Sequence, residues 1–250
     1  VFGVWAPGED VSKLTYFGLF ALQHRGQEGA GIAVGDEGRI VVFKDSGLVS
    51  QVFDETTLNT LIGHMAVGHC RYSTTGSTAW ENAQPMFRTT SAGSVLALGH
   101  NGNLTNALML RRQLVRRGCL FQSTTDTEVI VHLMATARSG SVIDRMVEAL
   151  RQVEGAYSLI ALAKDMVIGV RDPLGVRPLV LGKVGEDGFV EDDDLVGIAD
   201  SGQAVGDDQA GSIRAKHCLL DGALRLVVEG GGGLIQDEHP WLAQQRAGKR

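Results

Sequence analysis

The order of the secondary-structure patterns constrains the fold more than any other feature of this 250-residue chain. Three helical patterns follow one another in residues 105–117, 125–134 and 141–150, with apolar residues three and four positions apart. Strand-like runs precede this helical block and return after it, in residues 1–5, 29–34, 39–44, 64–72 and 95–98 and then in 157–163, 166–170, 178–181 and 196–199. Because strands and helices do not alternate one by one, the chain is predicted to be α+β, a layered sandwich rather than a doubly wound parallel sheet.

The composition argues against several classes of function. A formal net charge of −6 provides no basic surface for nucleic acid, and 44% apolar with 21% charged residues is ordinary for a globular protein. No apolar run approaches the roughly 20 residues that cross a bilayer, and no basic-then-apolar leader opens the chain, so no membrane partner is expected. Three widely spaced cysteines predict neither a disulfide framework nor a zinc site. We therefore expect a reducing, cytoplasmic compartment.

Other motifs predict no ligand site. The seven histidines show no metal-ligand spacing, and no metal site is expected. Glycines 29, 31 and 35 miss the dinucleotide-loop spacing by one position, and no helix follows them. The acidic run 191–194 is typical of a solvated loop. Four glycines at 230–233 and a polar, basic tail predict a linker and tail over residues 230–250, after a single domain over residues 1–229.

The stretch around Asn101-Gly102 has two interpretations. The apolar run 95–98 leads straight into His100-Asn101-Gly102-Asn103, a composition that suits a tight turn at the end of a strand. Asn-Gly is the strongest short-range hairpin signal. Alternatively, the Asn101 carboxamide and the exposed backbone N–H groups could stabilise a developing oxyanion.

Arg71 and Asp126 also have structural and functional interpretations. Arg71 follows a strand-like run, where an arginine is most often a surface or salt-bridge residue, yet its guanidinium fork suits a ligand carboxylate. Asp126 lies in a capping-box pattern at a helix start, yet it could also balance a ligand ammonium group. Together with Asn101 and Gly102, the two charges describe a site for a free amino acid with a carboxamide side chain.

Several motifs resemble the glutaminase domain of glutamine amidophosphoribosyltransferases, which are class II glutamine amidotransferases with an N-terminal nucleophile. The matching stretches run in order over roughly the first 200 residues and comprise residues 1–4, 24–32, 68–76, 82–85, 99–106, 124–128, 154–158 and 171–178. The resemblance implies a four-layer αββα sandwich of two antiparallel sheets. It also implies hydrolysis of glutamine to glutamate and ammonia. In the full enzymes the ammonia forms phosphoribosylamine from phosphoribosyl pyrophosphate in purine biosynthesis.

The resemblance assigns roles to individual residues. Arg71 and Asp126 would hold the carboxylate and the ammonium of glutamine, and Asn101 with the Gly102 N–H would form the oxyanion hole. Tyr72 would begin the glutamine loop, residues 72–84, which closes over the substrate and excludes water. No cofactor is implied for this chain, because Mg²⁺ would belong to a phosphoribosyltransferase domain. The partner implied is glutamine, and a homo-oligomer is compatible with the resemblance.

Two departures from the family pattern leave alternatives open. The family nucleophile is a Cys in Cys-Gly-Val, and it would precede Val1 by two positions, whereas Cys70, Cys119 and Cys218 match no catalytic position. Residues 199–204 differ from the family's Ala-Ser-Glu-Thr-Cys-Ala, and the phosphoribosyltransferase domain is absent from the sequence. The alternatives are a glutaminase domain whose Cys-Gly lies upstream, a truncated non-catalytic module that binds glutamine, or another class II amidotransferase. A chain that starts at Val1 is not expected to hydrolyse glutamine.

Overall fold

Two antiparallel β-sheets form the centre of the molecule in the computed structural model, which describes residues 1–72, 79–89, 95–138, 140–163, 166–184, 187–191, 203–204, 216–220 and 224–230. The strands are β1 (Phe2–Trp5), β2 (Gly29–Asp36), β3 (Arg39–Ser46), β4 (Met65–Arg71), β5 (Met86–Thr89), β6 (Val95–Leu104), β7 (Gly155–Ala163), β8 (Met166–Arg171), β9 (Val180–Val184), β10 (Asp187–Glu191), β11 (Gln203–Ala204), β12 (Lys216–Leu220) and β13 (Leu224–Gly230). The helices are α1 (Val11–Ala21), α2 (Val49–Val52), α3 (Glu55–Thr60), α4 (Ala107–Arg116), α5 (Thr127–Thr136) and α6 (Val142–Leu150).

The strand order separates the two ends of the chain into different sheets. The first sheet has the order β11-β9-β10-β1-β4-β2-β3, and the second has the order β12-β13-β8-β7-β6-β5. Neighbouring strands pair antiparallel throughout both described sheets. The helical block of the sequence, α4 to α6, thus falls between strands of the second sheet.

Three apolar clusters show how the layers stack. Alternate residues of β7 enter different clusters: Leu159 packs with the helices α4 to α6, whereas Ile160 packs against the first sheet. In β4, Val67 faces the space between the sheets, whereas Ala66 faces the helices α1 to α3. Because side chains alternate across a strand, this pattern places a helical layer outside each sheet. The predicted α+β fold and the αββα sandwich are confirmed.

Local signals explain several element boundaries. The Asp10 carboxylate accepts from the Lys13 N–H at 3.2 Å and begins α1, and Asp54 begins α3 in the same way through Thr57 at 2.7 Å. The hairpin between β2 and β3 turns at Glu37 and Gly38, both with positive φ, as a two-residue hairpin loop requires. The sequence predicts the Asp10 cap and the hairpin turn at Glu37-Gly38 from local patterns, whereas near Asp54 it predicts only a short helix.

Two sequence expectations near Asn101 and Asp126 are wrong, and a third needs a small change. No turn or hairpin forms at Asn101-Gly102, because β6 continues to Leu104 and pairs with β7 along its whole length. Glu128 does not close a capping box with Thr125, since its carboxylate accepts from the N–H groups of Gln122 and Ser123 instead. Gly230 ends β13 instead of beginning a linker, and residues 231–250 lie outside the described residues.

Lys44 in β3 provides a pH-dependent contact between the first sheet and the segment that leads into β5. Its Nζ donates to the Ala83 carbonyl at 2.5 Å, and burial lowers the pKa of Lys44 to about 8, with Glu128 and Glu81 opposing that shift. Between pH 8 and about 10 the unfolded chain therefore binds more protons at Lys44 than the folded chain. We expect the free energy of unfolding to rise over this interval. The rise ends near pH 10, because Lys44 of the unfolded chain then also loses its proton. Above that pH the free energy of unfolding falls, because burial and the charge of Asp172 raise the pKa of Tyr157 to about 12.

Urea unfolding at pH 7.5, 8.5 and 9.5 tests this expectation. Lys44→Met, which keeps the apolar stem, is expected to remove the rise. Lys13→Met is the matched control, because Lys13 is a partly exposed lysine that pairs with Asp10. Equal pH slopes for the unsubstituted chain and Lys44→Met would contradict the role of Lys44.

Candidate active site

A cleft of about 540 Å³ opens at the end of the space between the sheets. All five residues that the sequence singled out line it: Arg71, Tyr72, Asn101, Gly102 and Asp126. The other lining residues are Arg25, His69, Gln84, His100, Asn103, Thr125, Ala156, Val176 and Arg177. The structure therefore brings together residues that lie more than 50 positions apart in the sequence.

Arg71 ends β4 as a buried cation. It is 4% exposed, its Nη1 lies 3.6 Å from Glu28 Oε2, and its buried Nη2 has no hydrogen-bond partner within the described residues. Burial lowers the pKa of the guanidinium, and the negative charge of Glu28 opposes that effect. A buried guanidinium nitrogen without a partner carries a desolvation cost that an anionic ligand would offset.

The backbone around Gly26 packs closely against the backbone of Arg71. A methyl group at Gly26 would lie 2.6 Å from the Arg71 carbonyl carbon, so only glycine allows this approach. The Glu28 N–H donates to the Arg71 carbonyl at 3.1 Å. Residues 24–32, one of the stretches that resemble the family, therefore hold the Arg71 backbone in place and supply the carboxylate of Glu28 near its guanidinium.

Asp126 precedes α5 but makes no capping bond to that helix. Its Oδ2 accepts from the Leu104 N–H at 2.9 Å, and its Oδ1 lies 3.5 Å from His100 Nδ1. Burial alone would raise the pKa of Asp126, but the hydrogen bond and charge of His100 and the Leu104 N–H lower it overall. The carboxylate is thus ionised beside β6 at neutral pH, and its interpretation as a simple helix cap is wrong.

A buried cluster around Glu128 shapes the segment before Asp126. The Glu128 carboxylate accepts from the backbone N–H groups of Gln122 and Ser123 at 2.8 and 2.7 Å. Arg88 Nη2 donates to it at 2.8 Å, and the nearby His132 lies on the next turn of α5. Burial would raise the pKa of Glu128, but His132, Ser123 and Gln122 hold it well below its usual range. Glu128 acts on the cleft by fixing the loop that carries Thr125 and Asp126.

Asn101 and Gly102 lie in the part of β6 that extends beyond β5. The last pair of these strands is Met86 with Leu98, and the same register places Gln84 opposite His100. The Gln84 side chain takes the place of a backbone partner: its Oε1 accepts from the His100 N–H at 2.7 Å, and its Nε2 donates to the His100 carbonyl at 3.3 Å. This edge of β6 is therefore bonded by side chains instead of a strand.

The direction of the Gly102 N–H follows from its neighbours. The N–H groups of His100 and Leu104 point away from β7, toward Gln84 and Asp126 respectively. Backbone N–H groups alternate in direction along a strand, so Gly102, midway between the two, shares their direction. Its N–H is thereby directed to the side of β6 on which the cleft lies.

Gly102 and Gly155 allow β6 and β7 to approach closely. Gly102 has φ +144°, and a methyl group there would lie 2.1 Å from the Ala156 carbonyl oxygen. Gly155 has φ +142°, and a methyl group there would lie 2.2 Å from the Asn103 carbonyl oxygen. The close approach of the two strands therefore requires glycine at both positions. The glycine that the sequence assigned to a turn is required by an extended strand instead.

Residues 172–177, directly after β8, form a further wall of the cleft. The buried Asp172 carboxylate accepts backbone N–H groups of Leu174, Val176 and Arg177 at 3.1, 3.0 and 3.0 Å. These bonds form a compact loop that brings Val176 and Arg177 to the cleft. Sequence reasoning noted this stretch only as part of a family match.

Nine cleft residues were not named as individual site residues: Arg25, His69, Gln84, His100, Asn103, Thr125, Ala156, Val176 and Arg177. Each lies inside a stretch quoted for the resemblance, which was the available signal. Tyr72 is 69% exposed at the mouth of the cleft, and residues 73–78 of the expected glutamine loop lie outside the described residues. The described residues hold no group of three or more His, Cys, Asp or Glu side chains able to bind a metal ion. None of the described helices is long and apolar enough to cross a membrane.

Comparison with known proteins gives a consistent match. Residues 69–190 match the family described as glutamine amidotransferase domain. An amidophosphoribosyltransferase of Mycobacterium tuberculosis is 55% identical over 190 residues, which are 74% of this chain and 36% of the relative. An amidophosphoribosyltransferase of Methanocaldococcus jannaschii is 41% identical over 216 residues, which are 85% of this chain and 46% of the relative. The chain thus spans less than half the length of these curated relatives.

A solved structure shows the same fold. The glutamine phosphoribosylpyrophosphate amidotransferase of B. subtilis, complexed with ADP and GMP, has a TM-score of 0.70 and 39% sequence identity. The match covers 76% of this chain and 40% of that protein. A TM-score of this size over three quarters of the chain supports the layered architecture described above.

Proposed function

We propose that this chain, which carries a glutamine amidotransferase domain similar to that of amidophosphoribosyltransferases, binds free glutamine in the cleft and, where Cys-Gly precedes Val1, hydrolyses its side-chain amide. The observation that carries the proposal is the buried guanidinium of Arg71, whose Nη2 has no partner in the described part of the chain, in the same cleft as the ionised Asp126. A free α-amino acid presents one carboxylate and one ammonium group, and these two side chains have the complementary charges. A bidentate guanidinium–carboxylate pair supplies orientation as well as affinity.

The register of β1 supports a position for the nucleophile. β1 pairs with β4 so that Phe2 lies opposite Gly68 and Gly3 opposite Val67. In the same register, a residue two positions ahead of Val1 would lie opposite Arg71. It would share the face of Val1, which packs between the sheets and is 3% exposed. A cysteine at that position, as the resemblance implies, would therefore lie at the cleft.

The proposed chemistry uses groups of the protein alone. The cysteine thiol attacks the amide carbon of glutamine while the α-amine of the same residue takes its proton and delivers it to the leaving ammonia. Negative charge develops on the former carbonyl oxygen, where the Asn101 carboxamide and the Gly102 N–H donate hydrogen bonds. Water then attacks the thioester and releases glutamate. In a full-length enzyme, the ammonia would form phosphoribosylamine. We also propose a cytoplasmic location, which the three widely spaced cysteines support.

Calorimetry with glutamine tests the binding site. Arg71→Lys is expected to weaken glutamine binding at least about tenfold, because a single ammonium cannot reproduce the guanidinium fork. Asp126→Asn is expected to weaken it similarly, because the ligand ammonium loses its counter-charge. Arg116→Lys, an exposed change on α4, is the matched control. Unchanged affinity in both cleft variants would refute the assignment.

A further inference from the structure

We infer that His69 is a positioning residue that fixes which way round the Asn101 carboxamide lies. His69 is 2% exposed in β4, and its Nε2 lies 3.0 Å from Asn101 Oδ1 and 3.1 Å from the His100 carbonyl oxygen. The inference rests on the proposed function, because the orientation matters to the reaction only where Asn101 donates to an oxyanion.

The backbone carbonyl of His100 decides the tautomer of His69. A carbonyl oxygen can only accept a hydrogen bond, so the Nε2 that contacts it carries the proton. A protonated Nε2 is a donor, and the Asn101 atom that faces it is therefore an acceptor, the oxygen of the carboxamide. The backbone thus determines the imidazole tautomer, and the imidazole in turn determines the orientation of the amide.

The orientation has a chemical consequence. With its oxygen held by His69, the carboxamide presents its NH₂ group on the opposite side. Turned over, the same side chain would direct an oxygen toward a developing negative charge and oppose the reaction. His69 does not need to touch the substrate for this effect, because it acts through Asn101. The parallel arrangement at Gln84, whose oxygen is set by the His100 N–H, shows the same dependence of an amide on fixed backbone groups.

Nitrogen NMR of the full chain with labelled histidine tests the orientation directly. The His69 resonances are assigned by their absence from the His69→Gln variant. We expect a protonated Nε2 and an unprotonated Nδ1 for His69 at pH 7.5. The opposite tautomer would overturn the inference, whatever the chain does to glutamine.

Kinetics test the consequence in a chain preceded by Cys-Gly. His69→Leu removes the donor, and we expect kcat to fall about tenfold with KM little changed, since one hydrogen bond is lost and orientation alone is affected. His69→Gln keeps a donor near the position of Nε2 and is expected to lose less. In the Asn101→Ala background, His69→Leu is expected to cause no further loss.

A second loss of the same size in the Asn101→Ala background would overturn the inference, because His69 would then act independently of Asn101. An effect on KM alone would overturn it as well. If the unsubstituted chain with Cys-Gly neither binds nor hydrolyses glutamine, the proposed function fails, while a protonated Nε2 in the NMR experiment still supports the orientation.

Discussion

Gly102→Ala is expected to lower the free energy of unfolding by more than about 3 kcal/mol. The added methyl group would lie 2.1 Å from the Ala156 carbonyl oxygen and 2.7 Å from the Tyr157 Cα, which are backbone atoms of the paired strand. A backbone atom cannot rotate away, so β6 and β7 would have to separate. The positive φ of Gly102 adds strain for any L-residue. Urea unfolding monitored by circular dichroism measures the loss.

Gly38→Ala is the matched control for this prediction. Gly38 also has a positive φ, +78°, but nothing lies within 4 Å of the position of its added methyl group. It is expected to lose only about 1–2 kcal/mol, from backbone strain. The difference between the two variants isolates the close approach of the strands. Equal losses would show that β6 and β7 can separate freely at the cleft.

Asn101→Ala is expected to lower glutamine turnover about 10²–10³-fold in a chain preceded by Cys-Gly, the usual effect of removing one oxyanion donor. The carboxamide would bond the oxyanion more strongly than the ground-state carbonyl, so the loss should fall on kcat with a modest change in KM. Glutamate release under saturating glutamine is the measurement.

Asn103→Ala provides the comparison, since Asn103 lies in the same strand two positions away. It should leave most of the turnover in place if the oxyanion accepts a hydrogen bond from the Asn101 side chain and not from the Asn103 side chain. A change in KM without a change in kcat for Asn101→Ala would contradict the proposed role. A chain that starts at Val1 should release no glutamate in the same assay, because neither the thiol nor its adjacent amine is present.

Much of the fold follows from short-range patterns. The cap at Asp10 and the turn at Glu37-Gly38 depend on residues that are close in the sequence, and both were predictable. At Asp54 the short helix was predictable, but its cap was not predicted. The layered architecture followed from the order of the patterns. The continuation of β6 did not, because the Asn-Gly signal for a turn is local whereas the pairing with β7 involves residues some 50 positions away. Tertiary pairing overrode the local preference at this point.

The candidate site was partly predictable for a similar reason. Arg71, Asn101, Gly102 and Asp126 were named because their chemistry suits an amino acid ligand. Tyr72 was named from the family resemblance alone. All five line one cleft. The roles proposed for them stay predictions. The supporting contacts of His69 and Gln84 could not be foreseen, because they join a side chain to a backbone group on a distant segment.

The unpaired edge of β6 has a consequence for association. An open strand edge recruits extended peptides and copies of the same chain, which makes it a hazard for aggregation. Here the N–H and carbonyl of His100 are already bonded by Gln84 and His69, and the N–H of Leu104 is bonded by Asp126. An incoming β-strand would have to displace these side chains to add to the sheet. These side-chain hydrogen bonds therefore oppose β-strand addition at the cleft.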